Sequence, residues 1–443
     1  METDLQEINV TAQRLPDDKY VDTRDFRVKA IQLISADGSF RDITHLVMEI
    51  QVRQDLYLGF MSGDMLVTDA IDLHTLAALH GNEYLYVHIE EPSQSISINK
   101  AFRVYKVSDR ITVLNSAARY LIHFTSDELV LSNLKKVSKA YKDSKISDIA
   151  QDIMANYLLI GSSKITVDET SQPVDVVIPN WRPAEALNWL ASRAFSPDNT
   201  CWFFYENLEG FNFRSLQSLY KEPNPIKVPF VFENKGFAKS LDMDKYAIDS
   251  FIALKDFDIL ESSSQGGFGM RLMGLDPFHR TFITTDYSLS EVPKLFKNEA
   301  FANPVIDSTP LYDSGDSHYM TYLDSSSTST EKESGTKNWL KRIQSLAALN
   351  SNLSEVVVPG NIRIQAGSLV SIRYPYTVTP KEGVDMWDKR KSGKYLVVAV
   401  NHKFELVNHR FQTIFMTARD SMPESLPPPD ITVNDKIRKI NNA

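Results

Sequence analysis

A hairpin sequence that occurs twice restricts the folds available to this chain. Residues 394–420 have a relative at residues 101–127. Each copy has two strand patterns around a polar turn, with apolar or Thr side chains at alternate positions, which is typical of a sheet with one buried face. In the alignment, Phe102, Val104, Val107 and Arg110 match Tyr395, Val397, Val400 and Lys403, and Tyr120, Ile122, Phe124 and Ser126 match Phe411, Thr413, Phe415 and Thr417. For the second strands to match, the turns of the two hairpins must differ in length by two residues.

A third strand pattern precedes each hairpin, at residues 81–89 and 367–373. Alternation alone makes any two antiparallel hairpins look similar, so the hairpins by themselves leave coincidence open. Because the third strand matches in the same order, duplication is favoured. The core positions predicted for two similar barrels are Phe102, Val104, Val107, Tyr120, Ile122, Phe124, Tyr395, Val397, Val400, Phe411, Thr413 and Phe415.

Length and charge limit the classes of protein. A chain of 443 residues exceeds one ordinary core, which predicts about three domains. The net charge of −9 disfavours a surface that grips nucleic acid, since such surfaces gather Lys and Arg. One cysteine, Cys201, cannot form a disulfide within the chain. Without a signal region or a long apolar run, we expect a soluble protein of a reducing compartment, with no membrane insertion.

The hydrophobic period divides the chain into segments. Short strand patterns fill residues 26–129, which we predict to form barrel one. Residues 130–220 mix helical and strand periods and predict a smaller α/β domain, in which Ser144 caps one helix and Pro183 opens another. Residues 221–422 are predicted to form barrel two, with an inserted loop and helix segment at about 261–352 that includes two mobile loops. Residues 1–25 and 423–443 are expected to be an extended arm and tail.

The predicted fold class is therefore α+β and mainly β: two similar antiparallel β-barrels joined by a smaller α/β domain. The sequence contains no H-E-x-x-H, C-x-x-C or G-x-S-x-G motif, and its acid pairs fall in loops or at strand ends, where solvated charges are the default. We therefore expect no enzyme, no cofactor and no metal site. His402 and His409 flank a predicted turn and are expected to lie in solvent.

Aromatic residues leave one alternative open. Trp181, Trp189 and Trp202 fall at helix and strand positions of the α/β segment, which favours core packing over a sugar-stacking platform. Trp387 lies in a polar loop and is the best candidate for an exposed aromatic side chain. A glycan-binding tail protein would need such a residue. A tail-associated cell-wall hydrolase would need two placed carboxylates or a metal site.

Two groups of motifs resemble a known family. Val357-Val-Pro-Gly360, residues 367–370 and residues 392–402 closing with Arg419-Asp-Ser421 look like the second barrel of the central baseplate hub protein of contractile-tailed bacteriophages. Residues 146–153, 181–190 and 203–213 resemble the middle α/β unit of the same family and of the related VgrG spike proteins of type VI secretion. The resemblance covers about residues 26–422 in consistent order.

The resemblance implies a homotrimer in the virion tail baseplate. Two barrels per chain would give six barrel positions around the axis, so that one side can meet the hexameric tail tube and the other the trimeric cell-puncturing spike. The implied partners are the tube protein, the spike and other baseplate proteins, with DNA as a passing cargo. An acidic wall is expected to let DNA slide without sticking. Because the chain ends soon after barrel two, we expect the spike to be a separate chain.

Overall fold

The structure is a computed structural model. It describes residues 25–35, 37–71, 73, 79–91, 96–113, 117–171, 173–197, 201–232, 245–256, 258–264, 269–276, 280–288, 305–306, 309–310, 319–323, 332–376, 386–421 and 440. The predicted arm and tail lie outside the described residues, apart from Asp25 and Ile440. The predicted mobile loops also lie largely outside them.

The described residues between 25 and 125 contain seven strands and one three-residue 3-10 helix. Most of their apolar side chains alternate onto one face and pack in a common core, with Ile50, Met65, Val87 and Phe102 fully buried. Asp37-Gly38 makes the turn after the first strand, with Gly38 at φ +82°. The strands are β1 Arg27–Ile34, β2 Phe40–Asp42, β3 Val47–Asp55, β4 Ser62–Asp69, β5 Tyr84–Glu91, β6 Ile96–Val113 and β7 Ala117–Thr125, and the 3-10 helix is Thr44–Leu46.

Helices and strands alternate in the middle of the chain, as predicted. The helix with apolar residues at i, i+3, i+4 and i+7 buries Ile146, Ile149 and Ile153, and the next helix begins at Pro183. The predicted cap is wrong, because Lys145 and not Ser144 is the N-cap residue. The elements are α1 Asp127–Leu134, β8 Val137–Lys145, α2 Ile146–Asn156, a 3-10 helix Ser162–Lys164, β9 Ile165–Val167, β10 Pro173–Trp181, α3 Pro183–Arg193, β11 Trp202–Asn207, β12 Gly210–Ser215 and α4 Leu216–Lys221.

The last part of the chain again consists mainly of strands. Its inserted segment is not only loop and helix, because β15 pairs with β16 and β19 in a small sheet that the Ser- and Gly-rich composition did not predict. The elements are β13 Phe230–Val231, β14 Ser250–Lys255, α5 Ile259–Ser264, β15 Gly269–Asp276, β16 Thr281–Ser288, β17 Val305–Ile306, β18 Thr309–Pro310, β19 Tyr319–Leu323, α6 Lys332–Leu349, β20 Leu353–Pro359, β21 Leu369–Arg373, β22 Gly393–Glu405 and β23 Arg410–Ala418.

One sheet contains both copies of the repeat. Its order is β14-β20-β23-β22-β3-β4-β7-β6-β5-β1-β2, with β21 joining β22 to the short β13. Repeat one has the neighbour order β3-β4-β7-β6-β5-β1, and repeat two has β14-β20-β23-β22-β21-β13. Strand by strand these orders correspond, although β1 is antiparallel to β5 while β13 is parallel to β21. The fold is thus α+β and mainly β, with two similar antiparallel units.

The strand pairs correct the alignment of the hairpins. Val107 lies opposite Ile122, and Val400 lies opposite Phe415. Both first strands also carry a bulge at the same place, after Val104 and after Val397. Ile122 therefore corresponds to Phe415 and not to Thr413. The alignment erred by two residues because a shift of two positions leaves the alternation unchanged.

The two repeats join where β22 pairs with β3, and we call this junction the seam. The second half of β22 runs antiparallel to β3, from Ala399 opposite Asp55 to Glu405 opposite Glu49. Backbone hydrogen bonds from Leu56 N and Leu406 N extend the seam at its two ends. The two predicted barrels are consequently not separate sheets but two halves of one continuous ribbon.

Candidate functional site

The structure places the residues of the predicted repeat inside the protein. Eleven of the twelve are buried, and Val107 is partly buried against the first core. Phe411 packs in the core of repeat one together with Phe404, whereas Tyr395, Val397, Val400 and Phe415 pack in a separate core. Their rings stack with centroids 4.2 Å apart, and Phe26 meets Phe404 edge to face at 5.3 Å. The second repeat therefore contributes to the core of the first. Because the predicted repeat residues lie inside the protein, a binding surface must consist of other residues.

A ladder of polar side chains crosses the opposite face of the seam. Lys403 on β22 lies 3.1 Å from Glu49 Oε2 on β3 and 3.1 Å from Glu405 Oε1 on its own strand. On β3, Gln51 donates to Glu49 (2.6 Å) and accepts from Arg53 (3.0 Å). These side chains alternate with buried ones along the same strands and remain partly exposed, so this face of the ribbon is open to solvent. We call it the open face.

The ladder continues onto the neighbouring strands. Arg53 forms an ion pair with Asp64 on β4, and Asn401 on β22 donates to Gln51 Oε1 at 2.9 Å. The ladder therefore joins three strands and both repeats through direct contacts. Six side chains form it together with Asn401: Glu405, Lys403, Glu49, Gln51, Arg53 and Asp64.

On the covered side, the buried carboxylate of Glu206 attaches the α/β unit to repeat one. Glu206 on β11 accepts hydrogen bonds from Met61 N (2.8 Å) and Ser126 Oγ (2.6 Å) and forms an ion pair with Lys100 on β6. Phe60 meets Phe204 edge to face at the same contact. The α/β unit therefore packs against the ends of the sheet strands on the side that carries the cores.

His402 is a further buried group of the seam, and its predicted exposure is wrong. The imidazole is fully buried, and Nδ1 lies 3.2 Å from Thr413 Oγ1. Because burial disfavours the charged form, the pKa of His402 is lowered to about 3. His402 is therefore neutral inside the protein at neutral pH. His409, in contrast, lies exposed in the turn between β22 and β23, at φ +45°.

Among the described strands, the sheet leaves open edges on the second half of β6 and on β14. In β6, residues 96–103 pair with β5 on one side, but residues 106–113 pair only with β7 among the described strands. At the other end of the sheet, β14 pairs only with β20 among them. Both edges carry large apolar side chains in solvent, since Ile111 is 63% exposed and Ile252 is 49% exposed. Exposed strand edges of this kind pair readily with another chain.

The structure locates the tryptophan residues that the sequence offered for glycan binding. Trp387 is half-buried, with the Arg373 guanidinium 5.9 Å from its ring, so its predicted exposure is wrong. Trp202 lies in the core of the α/β unit, and Trp181 and Trp189 pack against that core. The described residues contain no group of three or more His, Cys, Asp or Glu side chains positioned to hold a metal ion. Nor does any described helix have the length and hydropathy to cross a membrane.

Solved structures resemble this chain in fold, although no family model and no curated protein matches it. A tail protein from Neisseria meningitidis MC58 aligns over 91% of this chain and 100% of its own length, with a TM-score of 0.54 and 11% identity. The 43 kDa tail protein of prophage MuSo2 from Shewanella oneidensis aligns over 89% and 100%, with a TM-score of 0.52 and 12% identity. The fold is that of phage tail proteins.

In fold, this likeness to phage tail proteins agrees with the resemblance that the sequence motifs indicated. It also directs attention to the features that sequence reasoning missed, which are the seam, its polar ladder and the two open edges. A signal for the ladder was present, because Glu49, Gln51 and Arg53 alternate with apolar residues along one strand. Their partner Lys403 lies about 350 residues away along the chain, and only the pairing of β22 with β3 brings it near.

Proposed function

We propose that this tail-protein fold serves as the structural baseplate hub of a phage contractile tail. Three copies form a ring that connects the hexameric tail tube to the trimeric spike and surrounds the path of the DNA. In this proposal the chain has no catalytic role. Its partners are further copies of itself, the tube protein, the spike and other baseplate proteins of the virion. The observation that carries the proposal is the match between the seam and the two open edges.

The seam supports a ring because each of its strands has a counterpart with an open edge. Within the chain, the second half of β22 pairs with β3. The counterpart of β22 in repeat one is β6, whose second half has an open edge. The counterpart of β3 in repeat two is β14, which also has an open edge. The same join can therefore form between β6 of one copy and β14 of the next.

The strand registers identify the position of Ile111 in this join. Ile111 lies opposite Arg119 in β7. Arg119 corresponds to Gln412 in repeat two, which lies opposite Lys403. Ile111 thus has the position in repeat one that Lys403 has in the seam.

The register of β14 gives the position of Ile252 in the same way. Ile252 lies opposite Glu355 on β20, and Glu355 corresponds to Asp64 of repeat one. Asp64 lies opposite Gln51, which is the seam partner of Lys403. Ile252 therefore has the position of Gln51, and Ile111 of one copy would face Ile252 of the next. Joining the edges would bring the two apolar side chains into contact and cover part of their exposed surface.

The shape of the ribbon fits a wide ring. Eight strands, β14-β20-β23-β22-β3-β4-β7-β6, run between the two open edges. Three copies would close a barrel of 24 strands, with a backbone diameter of roughly 48 Å for a strand spacing of about 4.8 Å and a tilt of about 40°. The cores and the α/β unit lie on one face of the ribbon and need the space outside the ring. The open face, with the ladder, would then line the lumen.

Mass measurement of edge variants tests the proposal. Light scattering is expected to give a trimer for the wild-type chain, alone or with the tube and spike proteins. The double variant I111K/I252K should remain monomeric, since it places like charges opposite each other at each join. The variant I111E/I252K should form the trimer again, because the opposed charges attract.

A matched control carries the same added charge away from the edges. Leu134 and Val177 are exposed apolar residues of the α/β unit, so L134K/V177K should form trimers as the wild type does. A wild-type chain that stays monomeric with tube and spike present would contradict the hub proposal. A trimer that I111K/I252K leaves intact would contradict the edge join.

A further inference from the structure

The charged groups of the seam ladder are already paired with one another. Lys403 contacts two carboxylates, those of Glu49 and Glu405, and Arg53 contacts Asp64 as well as the Gln51 amide. The ladder therefore combines three carboxylates with two cations, for a net charge of −1. Its members are neither deeply buried nor fully exposed, with side-chain exposure between 18% for Asp64 and 43% for Arg53. They are thus within reach of any molecule that passes the open face.

Lysine and arginine side chains held in ion pairs differ from those that bind DNA, which are free to contact phosphate groups. Phosphate contacts by Lys and Arg gain free energy from the release of condensed counterions, and the gain grows with the number of phosphates neutralised. Lys403 would have to leave both carboxylates before it could neutralise a phosphate, and those carboxylates would then repel the duplex. The acidic wall stays a prediction, and this strip of the open face contains both signs in direct contact.

We infer that the seam ladder keeps the open face from binding duplex DNA by holding its lysine and arginine in ion pairs. The inference rests on the proposed function, in which the open face lines the lumen of the ring. The carboxylates of Glu49 and Glu405 are the deciding residues, since they hold Lys403 from two sides. Three copies in a ring would repeat the strip three times around the DNA path.

Removal of the two carboxylates tests the inference directly. In E49Q/E405Q, Lys403 loses both anionic partners, and each chain gains two units of positive charge. Binding of a fluorescent 30-base-pair duplex, followed by anisotropy in about 50 mM salt, should be weak for the wild type and at least tenfold tighter for this variant. The new binding should fall roughly tenfold between about 50 and 200 mM salt where two lysines of a ring engage phosphates.

Two controls separate charge on the open face from charge elsewhere and from loss of structure. E169Q/E222Q adds the same charge by removing exposed carboxylates that pair with Lys145 and Arg214 on the α/β unit. This control should bind the duplex as weakly as the wild type. The triple variant E49Q/K403Q/E405Q disrupts the same ladder but lacks the freed lysine, so it should lose the gained binding.

The outcomes distinguish this inference from the hub proposal. Equal DNA binding by E49Q/E405Q and E169Q/E222Q, or wild-type binding as tight as that of E49Q/E405Q, would overturn the inference. Retained binding in the triple variant would overturn it as well, because the effect would then not come from Lys403. Light scattering of the same samples, repeated with the tube and spike proteins, reports on the ring. A trimer with any of these results leaves the hub proposal intact, whereas a monomer that persists with tube and spike present overturns both.

Discussion

At the scale of the residue, burial decides the behaviour of the seam histidine. His402 follows Asn401 in a strand with alternate buried positions, and the buried face of that strand is closed by Thr413 and the Phe411 ring, whose centroid lies 6.0 Å from the imidazole. Partly exposed groups in the same hairpin, such as Lys403 and Glu405, point to the open face. A single step along the strand thus separates a neutral buried ring from paired charges.

The lowered pKa of His402 predicts loss of stability in acid. The group binds a proton in the unfolded chain below about pH 6.5, whereas the folded protein keeps it neutral down to about pH 3. The unfolded state therefore binds more protons between these values, and the free energy of unfolding decreases as the pH is lowered. Between pH 7 and pH 4.5 this group accounts for a loss of about 2 to 3 kcal/mol.

Denaturant unfolding at pH 7 and pH 4.5 measures this effect. His402→Gln removes the titrating group, so its stability should fall less with pH than that of the wild type. The exposed residue provides the control, because His409→Gln should keep the wild-type pH dependence. Equal pH dependence in His402→Gln and the wild type would show that the imidazole does not carry the effect.

At the scale of the element, the α/β unit is fixed to the sheet by one buried carboxylate. Glu206 lies on β11 but its partners, Met61, Lys100 and Ser126, belong to repeat one. A buried carboxylate is stable only when hydrogen bonds and opposite charge replace its hydration. The three contacts provide that replacement and link the unit to three sites of repeat one.

Glu206→Gln should therefore destabilise the protein by about 3 kcal/mol, since it leaves Lys100 without its carboxylate partner at a half-buried contact. The thermal unfolding midpoint measures the change. The control is Glu169→Gln, which removes an exposed ion pair with Lys145 and should change the stability by less than about 0.5 kcal/mol. Similar midpoints for the two variants would mean that Glu206 does not link the units energetically.

At the scale of the whole molecule, the duplication leaves the chain with one satisfied join and one open join. The seam pairs repeat two with repeat one inside the chain. The equivalent pairing of repeat one with repeat two needs a neighbouring copy. Within one chain, β6 and β14 lie at opposite ends of the eight strands β14-β20-β23-β22-β3-β4-β7-β6. A two-fold repeat with this property forms either an open filament or a closed ring.

A cysteine pair across the proposed join tests its register. Opposed residues of antiparallel strands have Cα atoms about 4.5 to 5.5 Å apart, within the range that a disulfide spans. The variant I111C/I252C should therefore form covalent dimers and trimers on oxidation, read on a non-reducing gel. Native Cys201 is buried and should not compete. The control I111C/V177C should stay monomeric on the gel, and the same result for I111C/I252C would contradict the register.

Sequence patterns predicted the elements well and their partners poorly. Alternation located both hairpins, and the helical period located the helices that begin at Ile146 and Pro183. The same alternation aligned Thr413 with Ile122, although the strand pairs make Phe415 the counterpart of Ile122. A shift of two residues leaves an alternating pattern unchanged, so the pattern cannot detect it. The domain boundaries at 129, 220 and 422 stay predictions.

The sequence by itself determined that the chain is mainly β, that it contains one unit twice, and that a helical segment lies between the copies. These properties follow from the period of the apolar residues and from the repeated order of the strand patterns. Both can be read from the sequence without knowledge of tertiary contacts. Only the tertiary structure decided that the copies share one sheet, that His402 is buried at their junction, and that Lys403 meets Glu49. Strand pairing over hundreds of residues decides these contacts, and no local pattern specifies a partner so far along the chain.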